Sequence, residues 1–129
     1  MKIIKFEDLE IWKLSLKITK LIYDITSINQ FSQDFDLKNQ IRRSVISISS
    51  NIVEGFEKNS NNEFIRFLKI SKGSVGEARN QLYIALSINY IDESEFNKLN
   101  ELLMELANKI GGLSYYLESK RKLGEFKTR

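Results

Sequence analysis

With 129 residues, 42% of them hydrophobic and 29% charged, the chain is the size of one globular domain, and its net charge of +3 is too small to mark a polycationic nucleic-acid coat. The absence of cysteine excludes disulfides and thiolate chemistry, and the absence of histidine removes the usual neutral-pH base, the commonest metal ligand and any Glu-x-x-His di-iron site. No apolar run reaches the roughly 18 residues of a membrane span, and the opening Met1-Lys2-Ile3-Ile4-Lys5-Phe6-Glu7-Asp8 turns acidic too soon for a signal peptide, so a cytoplasmic location is the expectation.

A first helix is expected over 8–26, with Asp8 as its N-cap and Phe6 as a staple partner. Two apolar stripes share it. One is Leu9, Trp12, Leu16, Thr19, Tyr23 and Thr26; the other is Ile11, Leu14, Ile18, Leu21 and Ile25, with Lys13, Lys17 and Lys20 on the remaining wet edge. A helix packed on one side needs a single stripe, so this one is expected to be buried on two sides, by its own bundle or by another subunit. Residues 27–34 read as a polar link, with Phe31 tucked against a bundle end.

The second helix is expected over 35–57, its core stripe being Leu37, Ile41, Val45, Ile48, Ile52 and Phe56. Beside it runs a stripe of small or polar residues: Gln40, Ser44, Ser47, Asn51 and Glu54. Serine is a mediocre helix former, so this stripe suggests a close helix crossing, with Gln40, Asn51 and Glu54 as a structural polar network that fixes register. After the turn Lys58-Asn59-Ser60-Asn61, the capping box Ser60-Asn61-Asn62-Glu63 opens a third helix over 61–89. Its stripe is Phe64, Leu68, Ser71, Val75, Ala78, Leu82, Ala85 and Asn89, and Gly73 and Gly76 predict a close backbone crossing, with a kink as the alternative. A second box, Asp92-Glu93-Ser94-Glu95, opens a fourth helix over 93–118 with the stripe Phe96, Leu99, Leu103, Leu106, Ile110, Leu113 and Leu117. Gly111 and Gly112 suggest close contact near its end, Tyr115 and Tyr116 widen its apolar face, and residues 120–129 form a basic tail. Four amphipathic helices, short links and no strand signal give an all-α, antiparallel up-down-up-down four-helix bundle over residues 1–119.

Gln40-Ile41-Arg42-Arg43-Ser44, then Ser50-Asn51-Ile52-Val53-Glu54-Gly55, then Glu63-Phe64 through Phe67-Leu68 to Gly73-Ser74 form an ordered set. With Phe6-x-x-Leu9-x-x-Trp12-Lys13 and Asn89-Tyr90-Ile91, they resemble the four-helix-bundle proteins encoded in intervening sequences of 23S rRNA genes. That family includes the accessory variability determinant of diversity-generating retroelements. The resemblance implies a homopentamer with basic surfaces suited to RNA or DNA and, for the retroelement relatives, a reverse transcriptase as partner. It supplies no catalytic residues. The chain departs from the family at Ser32 and Ser49, where proline is common, which argues against a kink in the second helix.

The candidate nucleic-acid contacts are Arg42, Arg43, Lys58, Arg66, Lys69, Lys72 and Arg79. On the third helix the last four lie off the core stripe with little acid between them, and such cations neutralise phosphates and release counterions. The plainer role for them is a solvated face that keeps the protein in solution. Few aromatics stand among them in sequence, so base stacking is not indicated. Glu54 has no second acid or base for catalysis, and Glu54 with Glu57 lacks the oxygen ligands of a cation site. Gly73-Ser74-Val75-Gly76 follows no strand and lacks the lysine of a phosphate loop. No metal, cofactor or catalytic residue is therefore expected. The reading is a non-enzymatic, oligomeric bundle acting as a nucleic-acid-binding or ribonucleoprotein adaptor; the alternative is a protein-interaction scaffold, for example for a reverse transcriptase.

Overall fold

The computed structural model describes residues 3–122, all of whose regular structure is helical. After a 3-10 turn at Phe6–Asp8 come α1 (Glu10–Ile25), α2 (Asn29–Gln33), α3 (Phe35–Glu57), α4 (Asn61–Ser87) and α5 (Glu93–Lys122). The four long helices run up, down, up and down. Thr26 at the end of α1 meets Arg42 near the start of α3, Ser47 meets Ser74 across α3 and α4, and Arg79 meets Asn100 across α4 and α5. Glu10 on α1 and Lys109 on α5 form an ion pair that closes the bundle, with Glu105 on the same ammonium. No helix among the described residues is long and apolar enough to cross a membrane.

Helix starts follow local chemistry. Asp34 caps α3, accepting the amide of Leu37 at 3.0 Å, and its other oxygen accepts the hydroxyl of Tyr90 at 2.9 Å. Ser60 caps α4 through the amide of Glu63 at 3.4 Å. Asp92 and Glu95 exchange reciprocal backbone-to-carboxylate bonds at 2.8 and 3.0 Å, a complete capping box. Asn29, Asn59 and Asn89 take left-handed φ values of 54°, 55° and 64° at the turns, a conformation asparagine tolerates better than most residues. The third helix therefore ends at Ser87, and Asn89 belongs to the turn instead of the core stripe. Asp8 is not the first N-cap: it lies in the 3-10 turn, and Leu9 takes the extended capping position without a side-chain bond. Phe6 sets its ring edge-on against Trp12 at 5.3 Å. The segment 27–34 holds the five-residue α2, which delivers Phe31 into the end of the bundle against Tyr90. α5 continues to Lys122, so the tail is shorter than the composition suggests; residues 123–129 lie outside the described part.

The core stripes of α3, α4 and α5 are buried as their spacing requires, apart from Asn89 in the turn and Leu113, which is only half-buried. α1 differs. Its buried line is Ile11, Ser15, Ile18 and Ile22: Ile11 and Ile18 come from the second stripe, and Ser15 and Ile22 lie between the two stripes. Leu21 and Ile25 lean toward Leu99 of α5, while Leu16 and Tyr23 remain exposed on the opposite flank.

The close crossing lies between α3 and α4, and Gly55 makes it. A Cβ there would sit 2.6 Å from Phe67 Cβ and 3.1 Å from Phe64 Cδ1. Gly73, Gly76 and Gly112 are not crossing points, since nothing lies within 4 Å of a Cβ built on any of them. Gly111 faces only the end of Lys72, at 3.2 Å. Of the proposed network, Asn51 alone takes part. Its amide donates to Ser47 O at 2.8 Å and Ser47 Oγ at 3.0 Å, Ser47 Oγ bonds Ser74 Oγ at 2.9 Å, and Ser71 Oγ donates to Ile48 O at 2.8 Å. Gln40 and Glu54 are exposed instead. The Gln40 amide turns back to Asp36 at 3.1 Å. Phe64 and Phe67 fill the seam against Gly55, which leaves Glu54 outside it. α3 runs unbroken through Ser49, as expected without proline.

Among the described residues, three carboxylates sit below their ordinary values. Asp34, ordinarily 3.8, is lowered by the Leu37 amide and then by Tyr90, whose phenol is raised in return. Glu63 and Glu118, ordinarily 4.5, are lowered by their bonds to Arg66 and Lys69. A depressed folded-state pKa contributes stability that is present above the unfolded value and is lost as pH falls through the folded one. Tm is therefore expected to hold above about pH 5 and to fall on acidification through and below 4.5 and 3.8. Asp34→Asn should lower Tm at neutral pH and flatten that decline. Thermal melts from neutral to acid pH check it, and an unchanged Tm down to about pH 3 contradicts it.

Candidate nucleic-acid interface

The seven cations do not form one patch. They fall in three places. At the start of α3, Arg42 is a structural clamp on the end of α1. Its Nε donates to Thr26 Oγ1 at 2.9 Å, its Nη2 donates to Ser27 Oγ at 3.0 Å, and its guanidinium lies 4.2 Å from the centre of the Tyr23 ring. A cation there also complements the carbonyl end of the α1 dipole. Arg43, the next residue, is exposed beside Tyr23, Asn39 and Ile46.

At the opposite end of the bundle, Lys58 and Arg66 share the ring of Phe67, at 5.8 and 4.4 Å. Arg66 also sets a two-bond fork on Glu63, at 3.0 and 3.2 Å. That bond raises the guanidinium pKa, with the nearby charge of Glu54 adding to it. Its charge is thus locally compensated, contrary to the reading of little acid near the α4 cations.

The third place is the trough between α4 and α5. Lys69 enters it but is paired with Glu118 at 3.1 Å. Lys72 lies over Gly111. Arg79 donates to Asn100 Oδ1 at 2.8 Å, a neutral acceptor that aims the guanidinium without cancelling its charge. Among the described residues, Arg42, Arg43, Lys58, Lys72 and Arg79 meet no carboxylate within 4.0 Å. Lys72, Gly76, Arg79 and Tyr83 follow one another at helical spacing along the same side of α4. Nothing lies within 4 Å of a Cβ built at Gly76, so no side chain crowds that position between the two cations.

Aromatic rings stand among these cations after all. Tyr115 of α5, 75% exposed, lines the trough with Lys69 and Lys72. Tyr83, 51% exposed, lies one turn beyond Arg79 with its ring 4.6 Å from that of Phe96. Tyr115 and Tyr116 therefore do not widen the apolar face of α5. Tyr115 faces solvent, and Tyr116 lies exposed with Lys120 at 5.5 Å from its ring centre. Read along α4 alone, the cations have few aromatic neighbours. The signal lies in the short α4–α5 turn: it sets Tyr83 opposite Phe96 and Lys72 opposite Gly111, and that register carries Tyr115 to the basic side.

Comparison with known proteins agrees with the bundle. The crystal structure of a protein with unknown function from the S23 ribosomal protein family of Bacteroides thetaiotaomicron VPI-5482 superposes with a TM-score of 0.74 at 24% identity. The match covers 81% of this chain and 97% of that one, and at this identity it speaks for the fold alone. No curated protein matches the chain. The model of the family described as 23S rRNA-intervening sequence protein matches residues 7–112, which is most of the bundle. The helices, their order and that match lead to one conclusion: the chain belongs to the 23S rRNA-intervening sequence protein family.

Proposed function

We propose that this protein is a non-enzymatic, oligomeric bundle of the cytoplasm that binds nucleic acid through the α4–α5 trough and serves as a ribonucleoprotein adaptor. The observation that carries the reading is the pair Lys72 and Arg79, two turns apart with Gly76 uncrowded between them and free of carboxylate partners among the described residues. Such a pair, about 10 Å apart along α4, can engage two phosphates of one backbone, and its repetition around an oligomer multiplies the field. The test is binding of structured RNA and duplex DNA across a salt series. Affinity should fall steeply as salt rises; no binding at low salt refutes the proposal.

Self-association is part of the same reading, with a homopentamer as the form the family resemblance implies. Leu16 and Tyr23 of α1 and Ile46 of α3 leave apolar surface uncovered on one flank, with Leu16 45% and Ile46 43% exposed. Covering that flank with a second copy satisfies the extra stripe of α1. Light scattering after gel filtration should give an oligomer for the wild type and smaller species for Leu16→Asp with Ile46→Asp. A clean wild-type monomer at micromolar concentration contradicts it.

A second reading, a protein-interaction scaffold with a partner such as a reverse transcriptase, is favoured by the cleft between the end of α1 and the start of α5. Leu21, Ile25, Ile28 and Leu99 line it, with Asp24, Glu95 and Lys98 at its rim. Partner binding lost on Leu99→Asp with nucleic-acid binding unaffected would favour this reading.

A further inference from the structure

We infer that the α4–α5 trough takes a single strand, stacking bases on Tyr83 and Tyr115 while Lys72 and Arg79 hold the phosphates between them. The inference rests on the phosphate-binding reading above and narrows it to strands whose bases are unpaired.

The rings are placed as platforms. Tyr83 packs at a tilt against Phe96, ring centres 4.6 Å apart, and is half exposed. Tyr115 stands free at the other end of the trough, beside the Lys69–Glu118 pair. Because Lys72 lies opposite Gly111, Tyr115 falls near the level of Leu68, fifteen residues from Tyr83 along α4. At 1.5 Å per residue the rings are about 22 Å apart, a span for several nucleotides. Lys72 and Arg79 lie between those levels, and Gly76 between the two cations leaves no side chain to block a sugar or base. Cations tracking a backbone, with rings for the bases, is how proteins hold single strands with little sequence preference.

Duplexes fit this arrangement less well. Their base faces are covered by stacking, so a duplex can use the cations but not the rings. Glu118, which lines the trough, is paired with Lys69 at 3.1 Å, so it does not set an unpaired negative charge beside Tyr115. The charges of Lys72 and Arg79 favour a polyanion over an apolar protein segment, and the exposed rings of Tyr83 and Tyr115 favour one that carries bases over an acidic peptide.

The experiment is fluorescence anisotropy on the full chain at fixed low salt, with a labelled unstructured RNA of about 20 nucleotides and a duplex of the same length as probes. Tyr83→Ala with Tyr115→Ala should lose about ten-fold or more on the single strand, with no comparable loss on the duplex. Tyr83→Phe with Tyr115→Phe should retain binding, because the ring is what stacks. Circular dichroism melts confirm that the variants fold, and Tyr115→Ala alone keeps the test open should Phe96 repack in the double variant. Equal losses on both probes, or none on the single strand, overturn the stacking inference and leave the phosphate reading standing. Absence of wild-type binding to either probe overturns both.

Discussion

Gly55→Ala is expected to lower stability by about 2 kcal/mol, and Gly73→Ala is expected to raise it by about 1 kcal/mol. The residue types and the helical setting are the same, yet the signs differ because the surroundings differ. At Gly55 the new carbon would lie 2.6 Å from Phe67 Cβ, an atom next to the backbone that cannot swing aside, and 3.1 Å from Phe64 Cδ1. α3 and α4 must separate, which opens the Ser47–Ser74 and Ser71–Ile48 bonds of the seam. Overpacking of this kind costs about 3 kcal/mol at the upper end, offset by about 1 kcal/mol of gained helix propensity. At Gly73 nothing lies within 4 Å, so the propensity gain stands alone. Denaturant unfolding reads both variants. If Gly55→Ala proves neutral, the close crossing is misplaced.

The second large effect concerns binding. Lys72→Ala with Arg79→Ala should weaken nucleic-acid affinity by roughly ten-fold per contact at low salt and reduce the slope of log affinity against log salt by about 2, one unit per phosphate contact. Arg66→Ala should do much less, because the Arg66 charge is already engaged by Glu63. Glu118→Gln should act in the opposite direction. It removes a negative charge from the trough and releases Lys69, now held at 3.1 Å, to meet a phosphate. Filter binding across a salt series separates the three. Equal effects of Arg66→Ala and the double variant would show a diffuse basic surface in place of a defined trough.

The architecture was largely legible in the residues, since burial repeats every three or four positions and leaves a periodic trace. The bounds 35–57 of the α3 reading match Phe35–Glu57, and the box at Asp92 and Glu95 forms as written. What periodicity cannot carry is the relation between helices. Gly55 and Gly73 look alike in sequence, and only the approach of α4 separates them. For the same reason Asn51 joins a network that Gln40 and Glu54, on the same stripe but exposed, do not. The seven cations were found by type, but their grouping depends on which acids the neighbouring helices present: Glu118 reaches Lys69 from α5, and Tyr115 comes to the trough from the same helix. α1 reads as two stripes because each flank is apolar; its buried line takes Ile11 and Ile18 from the second and adds Ser15 and Ile22 between them.

The most direct test of a nucleic-acid face on α4 and α5 is backbone amide hydrogen exchange, free and with an unstructured RNA bound. Protection is expected on α4 from Lys69 to Tyr83 and on α5 from Asn100 to Tyr115, with α1 and the Arg42–Arg43 end unchanged. Protection centred on Arg42 and Arg43, or spread evenly over every helix, would contradict it.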